Sequence, residues 1–380
     1  MAKILVVGQT PPPIGGQAVM IQQMLDQKYD NIELLHVRMF FSKEMDEVGR
    51  VRFSKLFELV AVIVRIILAR VRTGARILYY PPAGPNLVPV LRDIAILCST
   101  RWLFDVTIFH FHAAGLSEIY PRLSPFLRFF FRQAYCSPDI AIRISEFNPQ
   151  DGKALGARHE VVIPCGVEDA APHASHDAQL DLNAADKPVT ILYVGVLCEE
   201  KGVNVLLNAL TLLAENGRHF QAHFMGRFES GEYEQAIRSF ISIHHLTERV
   251  TFLGVLSGEP KHAAFRNADI FCFPTFFSSE SFGLVLVEAM SFSLPVVATH
   301  WRGTPSIVVE GEGGYLVPIR DAQALAKRLE QLICNPSLCK EMGRNGRRRY
   351  EELFTVEIYQ QNLQNVFSTA VDMLSDKTLR

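Results

Sequence analysis

The sequence lacks most features that would place it outside the ordinary globular proteins. Its 380 residues include two Trp and seven Cys, and no two Cys form a C-x-x-C pair. An odd, scattered set of Cys argues against a disulfide framework and favours reduced thiols in the cytoplasm. No apolar run reaches the roughly 18 residues that a membrane-spanning helix needs. A formal net charge of −2 argues against a general nucleic-acid-binding protein.

Two common phosphate-binding motifs are also missing after the first apolar run, which is itself too short for a signal peptide. The loop there reads Thr10-Pro-Pro-Pro-Ile-Gly15-Gly16-Gln17, which is neither G-x-G-x-x-G nor a P-loop. Adjacent glycines still let backbone N–H groups approach a phosphate or a sugar closely. Gly15 and Gly16 therefore form either part of a ligand site or a tight strand-to-helix turn.

The chain does contain a regular alternation of short apolar runs and longer helical patterns. Helices are predicted at Phe53–Arg72, Val203–Glu215, Tyr233–Ile243 and Asp321–Cys334, among other places. This order predicts an α/β fold with two doubly wound parallel sheets. The predicted strands are Ile4–Val7, Ile32–Val37, Arg76–Tyr80, Val106–Phe111, Ile140–Ile144, Val161–Pro164, Val189–Gly195, Gln221–Met225, Val250–Leu253, Asp269–Phe273, Pro295–Thr299 and Gly314–Val317.

Composition divides the chain into domains. Residues 168–187 are rich in Ala, Asp, His and Pro and lack periodicity, so they are predicted to be a linker. It joins a Rossmann-like domain over residues 1–167 to a second one over 188–349, and a helical segment follows over 350–380. Two such domains would leave a central cleft between the carboxyl ends of their sheets, where ligands of these folds bind. Residues 1–165 carry a net charge of +5 and the remainder −7.

A pair of carboxylates eight residues apart is the most informative motif. Glu280 lies in a loop, a helix is predicted to begin near Phe282, just ahead of the candidate residues Gly283 and Leu284, and Glu288 follows about two turns later. The free N–H groups at a helix start bind anions, and carboxylates accept hydrogen bonds from hydroxyl groups. The pair either binds a charged, hydroxylated ligand such as a nucleotide sugar or consists of two ordinary exposed carboxylates. A charge inside an otherwise apolar helix needs a partner, which favours function for Glu288.

Two further loops carry candidate residues. Lys201 lies between Gly195 and Gly202 at a loop-to-helix junction, where its ammonium can help to neutralise a diphosphate or can simply be solvated. His110 and His112 end a predicted strand and point to the same face, so one of them either contacts a substrate or has a structural role. A metal site is not expected there, because no third cluster of ligands accompanies the two histidines.

Two stretches mix apolar side chains with Arg. The stretch Phe126–Phe131, which contains Arg128 and is followed by Arg132, is either a membrane or lipid contact or part of the core. For the helical pattern Phe53–Arg72 we favour packing against the core.

Together these motifs resemble a family 4 retaining glycosyltransferase with the GT-B fold, in which two Rossmann-like domains face a central cleft. The run Glu280-Ser-Phe-Gly-Leu-Val-Leu-Val-Glu288 is similar to the E-x7-E signature of that family. The Gly195–Gly202 loop and residues 252–254, 268–274 and 294–298 also fit, in the expected order. Residues 12–16 and 111–112 fit less specifically, so the resemblance is strongest over 190–320.

The resemblance implies roles around the donor. Lys201 would bind the donor diphosphate, and Glu280 would contact the donor sugar. The backbone N–H groups of Phe282 and Gly283 would lie near sugar and phosphate. Glu288 would hold the ribose hydroxyls.

The resemblance also implies roles in the first domain. His112 or His110 would line the sugar pocket, and Gly15 and Gly16 would approach the phosphate or the acceptor. The helical pattern at 350–375 would cross back onto the first domain.

The sequence departs from the family pattern in three loops. Val196 stands where Arg is common, so Arg227 or Arg302 would assist the lysine in balancing phosphate charge. Cys165 replaces the usual Asn, and the loop that ends at Ser306 lacks the usual Glu. These departures bear on donor affinity rather than on the fold.

The function implied is the transfer of a hexose, with retention, from a nucleotide diphosphate sugar to a glycan or lipid-linked glycan in cell-surface polysaccharide or glycoconjugate synthesis. No metal or other cofactor is expected, because the leaving diphosphate helps to deprotonate the acceptor. The protein would be cytoplasmic, and would lie at the inner face of the membrane if Phe126–Phe131 contacts lipid. The alternatives are another GT-B enzyme, such as a nucleotide-sugar epimerase or a phosphorylase, and a non-catalytic nucleotide-sugar-binding protein.

Overall fold

The structure is a computed structural model that describes residues 1–12, 15–40, 53–171 and 187–379. The chain forms two compact units. Unit 1 comprises Met1–Gly166 together with Val356–Arg380, and unit 2 comprises Val167–Thr355. Most of the predicted linker, residues 172–186, lies outside the described residues, as do residues 13–14 of the glycine loop.

Unit 1 is built on a six-stranded parallel sheet. Its strands are β1 (Ala2–Gly8), β2 (Ile32–Arg38), β3 (Ile77–Tyr80), β4 (Val106–Phe111), β5 (Ile140–Arg143) and β6 (His159–Val162). They lie in the order β2-β1-β3-β4-β5-β6. The helices between them are α1 (Gly16–Asp26), α2 (Phe53–Thr73), α3 (Leu87–Thr100), α4 (Leu116–Ile119), α5 (Pro125–Tyr135) and α6 (Asp151–Ala154).

One face of this sheet is covered by α2, α3 and α5. Alternate strand residues, Val7 and Phe109 among them, join Val62 of α2, Ile94 of α3 and Phe131 of α5 in one buried cluster. Because a parallel strand is buried on both faces, its sequence is a continuous apolar run rather than an alternating one. The helices, by contrast, bury one side only.

Unit 2 repeats this architecture. Its strands are β7 (Val189–Val194), β8 (Phe220–Met225), β9 (Val250–Gly254), β10 (Ile270–Phe273), β11 (Val296–Thr299) and β12 (Gly314–Val317). They form a parallel sheet in the order β12-β11-β10-β7-β8-β9. The helices are α7 (Val203–Glu215), α8 (Gly231–Ile243), α9 (Gly258–Arg266), α10 (Leu284–Ser291), α11 (Thr304–Ile307), α12 (Ala322–Ile333) and α13 (Pro336–Leu353).

The last helix, α14 (Val356–Leu379), belongs to unit 1. It covers the sheet face opposite α2, α3 and α5. Phe367 of α14 packs edge-on against Tyr29 and Tyr79, with ring centroids 5.0 Å and 6.2 Å apart. At the end of the helix, the Lys377 ammonium donates to the Asp139 carboxylate at 2.7 Å.

The twelve predicted strands and the four named helices are all present, with ends that shift by at most two residues. The pattern at 350–375, however, is two helices rather than one. Tyr350 is buried in α13, and its hydroxyl donates to the Val167 carbonyl at 2.9 Å. The Val167 N–H donates to the Phe354 carbonyl, and Thr355 pairs with Val167 as in a strand. These contacts break the helical backbone between α13 and α14.

The predicted packing of Phe53–Arg72 against the core is confirmed for one side of α2. One side of α2 is buried through Val62 and Ile66, as predicted, but Leu56, Val60 and Val64 on the other side are exposed. None of the described helices has both the length and the apolar composition that a membrane span requires.

Candidate functional site

The sheet of unit 2 changes direction between β7 and β10. The chain first builds outward from β7 through β8 to β9, and then returns to place β10 on the other side of β7. The loops that leave the carboxyl ends of β7 and β10 therefore diverge at a topological switch point, where open α/β sheets bind ligands. Lys201 lies in the first of these loops and Glu280 in the second.

An ion pair joins the two loops. The Lys201 ammonium donates to Glu280 Oε2 at 2.5 Å, and the two side chains are only 19% and 10% exposed. The hydroxyl of Thr275, which is buried, donates to the same oxygen at 3.3 Å. The ammonium also lies 4.8 Å from the ring centre of Phe277, within the range of a cation–π contact. The two opposite charges are therefore largely shielded from water at this edge of the sheet.

The backbones of the same two loops are also in direct contact. The Phe276 N–H donates to the Glu200 carbonyl at 2.8 Å. Gly202 has φ +81°, and a Cβ at this position would lie 2.0 Å from the Pro274 carbonyl oxygen. Only glycine permits both this backbone conformation and this close approach. Gly202 thus sets how closely Lys201 can approach the loop that carries Glu280.

Helix α10 begins two residues after the predicted start near Phe282. Gly283 adopts a left-handed conformation with φ +90°, and the helix starts at Leu284. Phe282 is buried, with its ring against Phe354 at 5.9 Å. The N–H groups at this helix start therefore come directly after the Glu280 loop.

Glu288 has a partner that the sequence did not reveal. The Lys261 ammonium of α9 donates to Glu288 Oε1 at 2.7 Å. Its other oxygen, Oε2, is buried and has no hydrogen-bond partner among the described residues. A buried acceptor of this kind is suited to a hydroxyl donor.

The loops after β7 and β8 are also joined. The Leu197 N–H donates to the Arg227 carbonyl at 2.8 Å, and a Cβ on Gly226 would lie 1.8 Å from the Gly195 carbonyl oxygen. Gly195 and Arg227 therefore lie at the same edge of the sheet as Lys201. The Val196 carbonyl accepts a hydrogen bond from the Tyr193 hydroxyl at 2.9 Å, and this bond anchors the loop to β7.

The loop after β11 supports the site from the other side. The Trp301 indole N–H donates to the Phe277 carbonyl at 2.8 Å. The Ser306 hydroxyl donates to the Gly303 carbonyl at 2.6 Å, within the short helix α11. Arg302 lies over the Trp301 ring, with its guanidinium carbon 5.5 Å from the ring centre.

In unit 1, the two predicted glycines lie at the start of α1. Gly15 is the N-cap residue and Gly16 the first helical residue, and no side chain caps this helix start. The preceding loop is held by Arg38 of β2, whose Nη2 donates to the carbonyls of Thr10, Pro11 and Pro12 at 2.9–3.0 Å. One guanidinium thus fixes the path of the loop that leads to the glycines.

His110 lies in β4 and His112 directly follows the strand, and their rings point to the same side, as predicted, and stack with centroids 3.9 Å apart. His110 is fully buried, and its Nδ1 lies 2.6 Å from the Tyr79 hydroxyl. Burial lowers the pKa of His110 well below its ordinary value, and the neighbouring His112 lowers it further. Burial also lowers the pKa of His112, to about 3. Both rings are therefore neutral near pH 7.

The sequence missed the residues that position the others: Thr275, Phe277 and Trp301 around the first ion pair, and Lys261 in the second. The sequence around Lys261 in α9 has the pattern of an ordinary solvated helix face. Only its position beside Glu288 in the folded structure identifies Lys261 as a partner of that carboxylate. In the part of the chain that the structure describes, no three His, Cys, Asp or Glu side chains are grouped as a metal site would require.

Unit 2 is similar in sequence to a known protein family. Residues 177–349 match the family model described as "Glycosyl transferases group 1". The chain is 28% identical over 185 residues to the capsular polysaccharide biosynthesis glycosyltransferase CapM of Staphylococcus aureus, which covers 47% of this chain and 45% of the relative. It is 39% identical over 166 residues to the phosphatidyl-myo-inositol mannosyltransferase of Mycobacterium leprae, or 43% of this chain and 42% of the relative. The chain thus spans about half the length of these curated relatives.

Solved structures share the whole fold. Sucrose-phosphate synthase from Thermosynechococcus elongatus superposes with a TM-score of 0.73 at 20% identity, covering 98% of this chain and 100% of that one. Anabaena Alr3699/HepE, solved in complex with UDP, has a TM-score of 0.72 at 19% identity and covers 97% of this chain and 100% of its own. The predicted GT-B fold class is confirmed at the level of two doubly wound α/β domains.

Proposed function

We propose that this protein is a glycosyltransferase of cell-surface polysaccharide synthesis that uses a nucleotide diphosphate sugar as donor. The observation that carries the proposal is the Lys201–Glu280 ion pair at the β7/β10 switch point. The match of residues 177–349 and the relative named for capsular polysaccharide synthesis support it. So does the fold shared with a protein that was solved with UDP.

Lys201 is the proposed counter-charge of the donor diphosphate. With the donor absent, Glu280 neutralises this ammonium. Phosphate oxygens would replace the carboxylate as its partner and would also accept from the N–H groups at the start of α10, near Phe282, Gly283 and Leu284. Glu280 would then be released to accept hydrogen bonds from the sugar hydroxyls.

Three further residues complete the proposed donor site. Glu288 would accept hydrogen bonds from the ribose hydroxyls through its buried, unpartnered Oε2. Gly195 would let the backbone approach the phosphates, and Arg227 would add positive charge beside it.

Unit 1 is the proposed acceptor side. Gly15 and Gly16 would present backbone N–H groups at the uncapped start of α1. His112, a neutral ring, would line the sugar pocket as a hydrogen-bonding group, and His110 would hold it by stacking. The acceptor would be a glycan or a lipid-linked glycan.

For the chemistry we propose transfer of a hexose with retention of anomeric configuration, as the E-x7-E spacing suggests. The leaving diphosphate would take the proton of the acceptor hydroxyl on the same face, so that the protein mainly orients substrates and stabilises charge. No metal or other cofactor is part of this scheme. The protein would act in the cytoplasm, where its seven free Cys stay reduced.

The test is a panel of UDP-, GDP- and ADP-sugars, with thermal shift as the measure of binding and product formation as the measure of turnover. For the donor so found, Lys201→Gln should weaken binding of the nucleoside diphosphate by about 10- to 100-fold, since it removes a charge-assisted contact. Glu280→Gln should leave that binding unchanged or tighter, because it frees the lysine, yet should abolish transfer.

Three outcomes would contradict the proposal. The first is that no nucleotide sugar binds. The second is that Lys201→Gln and Glu280→Gln weaken diphosphate binding equally, which would give the pair a structural role only. The third is conversion of a nucleotide sugar without any acceptor, which would identify an epimerase.

A further inference from the structure

Unit 1 contains a cavity at the amino edge of its sheet, with a volume of about 650 Å³. It is lined by Asp105 and Asp139, which immediately precede β4 and β5, and by Lys377 in the last turn of α14. Strand β4 has Asp105 at its amino end and His112 just beyond its carboxyl end. The cavity therefore lies at the opposite edge of the sheet from the proposed acceptor side. A cavity of this size accommodates a small-molecule ligand.

The two carboxylates of this cavity are already neutralised. Asp105 accepts a hydrogen bond from Arg76 Nε at 2.6 Å. Asp139 forms ion pairs with both Lys377, at 2.7 Å, and Arg158, at 3.3 Å, and these two cations also line the cavity. Two cations on one carboxylate leave one positive charge uncompensated.

Arg101 adds a second uncompensated cation to the lining. Its guanidinium donates to three backbone carbonyls, at 2.7–3.0 Å, which belong to Ala134, Cys136 and Ser137. These bonds use three of the five N–H donors of a guanidinium, and none of the described carboxylates forms an ion pair with it. Burial lowers the pKa of Arg101, and the Asp139 carboxylate offsets only part of that effect. An anionic ligand would stabilise this partly buried charge.

Aromatic rings line the same cavity. Trp102 and Phe129 are 75% and 58% exposed, and Phe130 packs edge-on against Phe129 with ring centroids 5.3 Å apart. The Trp102 indole N–H donates to the Ser99 carbonyl at 3.0 Å, which fixes the orientation of this ring. Exposed rings beside cations suit a ligand that combines an anionic group with a flat apolar group.

We propose that this cavity binds a small phosphate monoester that carries an aromatic group. The two uncompensated cations match the charge of a phosphate monoester, and Arg and Lys donate charge-assisted hydrogen bonds to its oxygens. Trp102 and Phe129 would pack against the aromatic group. Because Lys377 belongs to α14, the bound phosphate would hold the end of that helix against β4 and β5. The proposal does not depend on the donor chemistry of unit 2.

The test uses the fluorescence of Trp102 in the full chain. The sequence has two Trp, so the variant Trp301→Phe leaves Trp102 as the only reporter. Titration of this variant with phenyl phosphate should change the Trp102 emission until the site is saturated. Inorganic phosphate, which lacks the ring, and phenol, which lacks the charge, should each displace phenyl phosphate only at concentrations about tenfold higher or more.

Substitutions in the same background identify the site. Arg158→Gln should weaken the binding of phenyl phosphate by about tenfold, since it removes a charge-assisted contact. The matched control is Arg238→Gln in unit 2, because both arginine side chains are paired with one carboxylate and are exposed to a similar degree, 61% and 58%. This control should bind like the background variant.

Phe129→Ser should also weaken the binding of phenyl phosphate, and it carries the test if Arg158→Gln misfolds. A titration without saturable binding would overturn the proposal. Binding that neither Arg158→Gln nor Phe129→Ser weakens would overturn it as well, because the ligand would then occupy another part of the chain.

Discussion

Glu280 and Glu288 each lie against a lysine, and the two lysines come from different elements. Lys201 follows β7, whereas Lys261 belongs to α9. Both pairs are only partly exposed, so each carboxylate is neutralised before any ligand arrives. A ligand that takes the place of one carboxylate beside its lysine must therefore supply a negative charge of its own, as a diphosphate does.

Lys261 gives a prediction about stability. Lys261→Met should lower the free energy of unfolding by about 1–2 kcal/mol, because it leaves the Glu288 carboxylate without its cation in an apolar helix. The pairing energy is measured by urea unfolding of the single variants Lys261→Met and Glu288→Gln and of the double variant. Additive effects would mean that the two side chains do not interact in solution.

His112 gives a prediction about pH. Burial lowers the pKa of His112 in the folded protein from 6.5 to about 3. Between these two pH values the unfolded chain binds a proton on this ring and the folded protein does not. The buried neutral ring therefore does not lower the free energy of unfolding above pH 6.5. Below that value the free energy of unfolding decreases as the pH falls toward 3. Each pH unit in that window costs about 1.4 kcal/mol for this one group.

Urea unfolding at pH 7.5 and pH 5 checks this expectation. The wild type should lose about 2 kcal/mol more stability between these two pH values than the variant His112→Asn, which cannot titrate. Other groups titrate in both proteins and cancel in the comparison. Equal losses would show that folding does not lower the pKa of His112.

At the scale of elements, the site depends on two loops that meet through backbone atoms. Gly202→Ala should destabilise unit 2 by about 3 kcal/mol or more, because the new Cβ would meet the Pro274 carbonyl oxygen at 2.0 Å and the φ of +81° is strained for alanine. Donor binding should fall with it, because Lys201 moves away from Glu280.

Gly217→Ala is the control for this prediction. Gly217 has a similar φ of +70°, but a Cβ there meets open space. Its substitution should cost about 1 kcal/mol, the strain alone, and should leave donor binding intact. Similar effects of the two substitutions on binding would mean that close packing of the loops is not required.

The elements themselves follow largely from the sequence. Strands such as Val106–Phe111 and Gly314–Val317 begin and end where they were predicted, because a strand buried on both faces leaves a continuous apolar run. Partners distant in sequence could not be predicted in this way. Nothing around Lys261 indicates Glu288, and nothing in the helical pattern at 350–375 indicates that Val167 interrupts it. Both depend on contacts that exist only in the folded chain.

At the scale of the whole molecule, the chain ends in the unit in which it began. Phe367 of α14 is buried against Tyr29 and Tyr79, which lie more than 280 residues earlier in the chain. Phe367→Ala should therefore destabilise unit 1 by about 3–5 kcal/mol. Hydrogen exchange should become faster in peptides from residues 1–166 and remain unchanged in most of 167–355.

The reciprocal control is Phe224→Ala, since Phe224 is buried in β8 of unit 2. It should speed up exchange in residues 167–355 and spare residues 1–166. If either substitution accelerated exchange equally in both units, the two would unfold as one cooperative body rather than separately.

The neighbouring positions of β7 and β10 have a consequence for synthesis on the ribosome. Lys201 and Glu280 are 79 residues apart in sequence, and β8 and β9 are translated between them. A nascent chain that has exposed β7, β8 and β9 lacks the strand on the other side of β7, so the proposed diphosphate site is incomplete. Closing that long loop is slow compared with forming local helices. If the proposed donor site is correct, a growing chain therefore cannot bind nucleotide until β10 and the start of α10 have emerged from the ribosome.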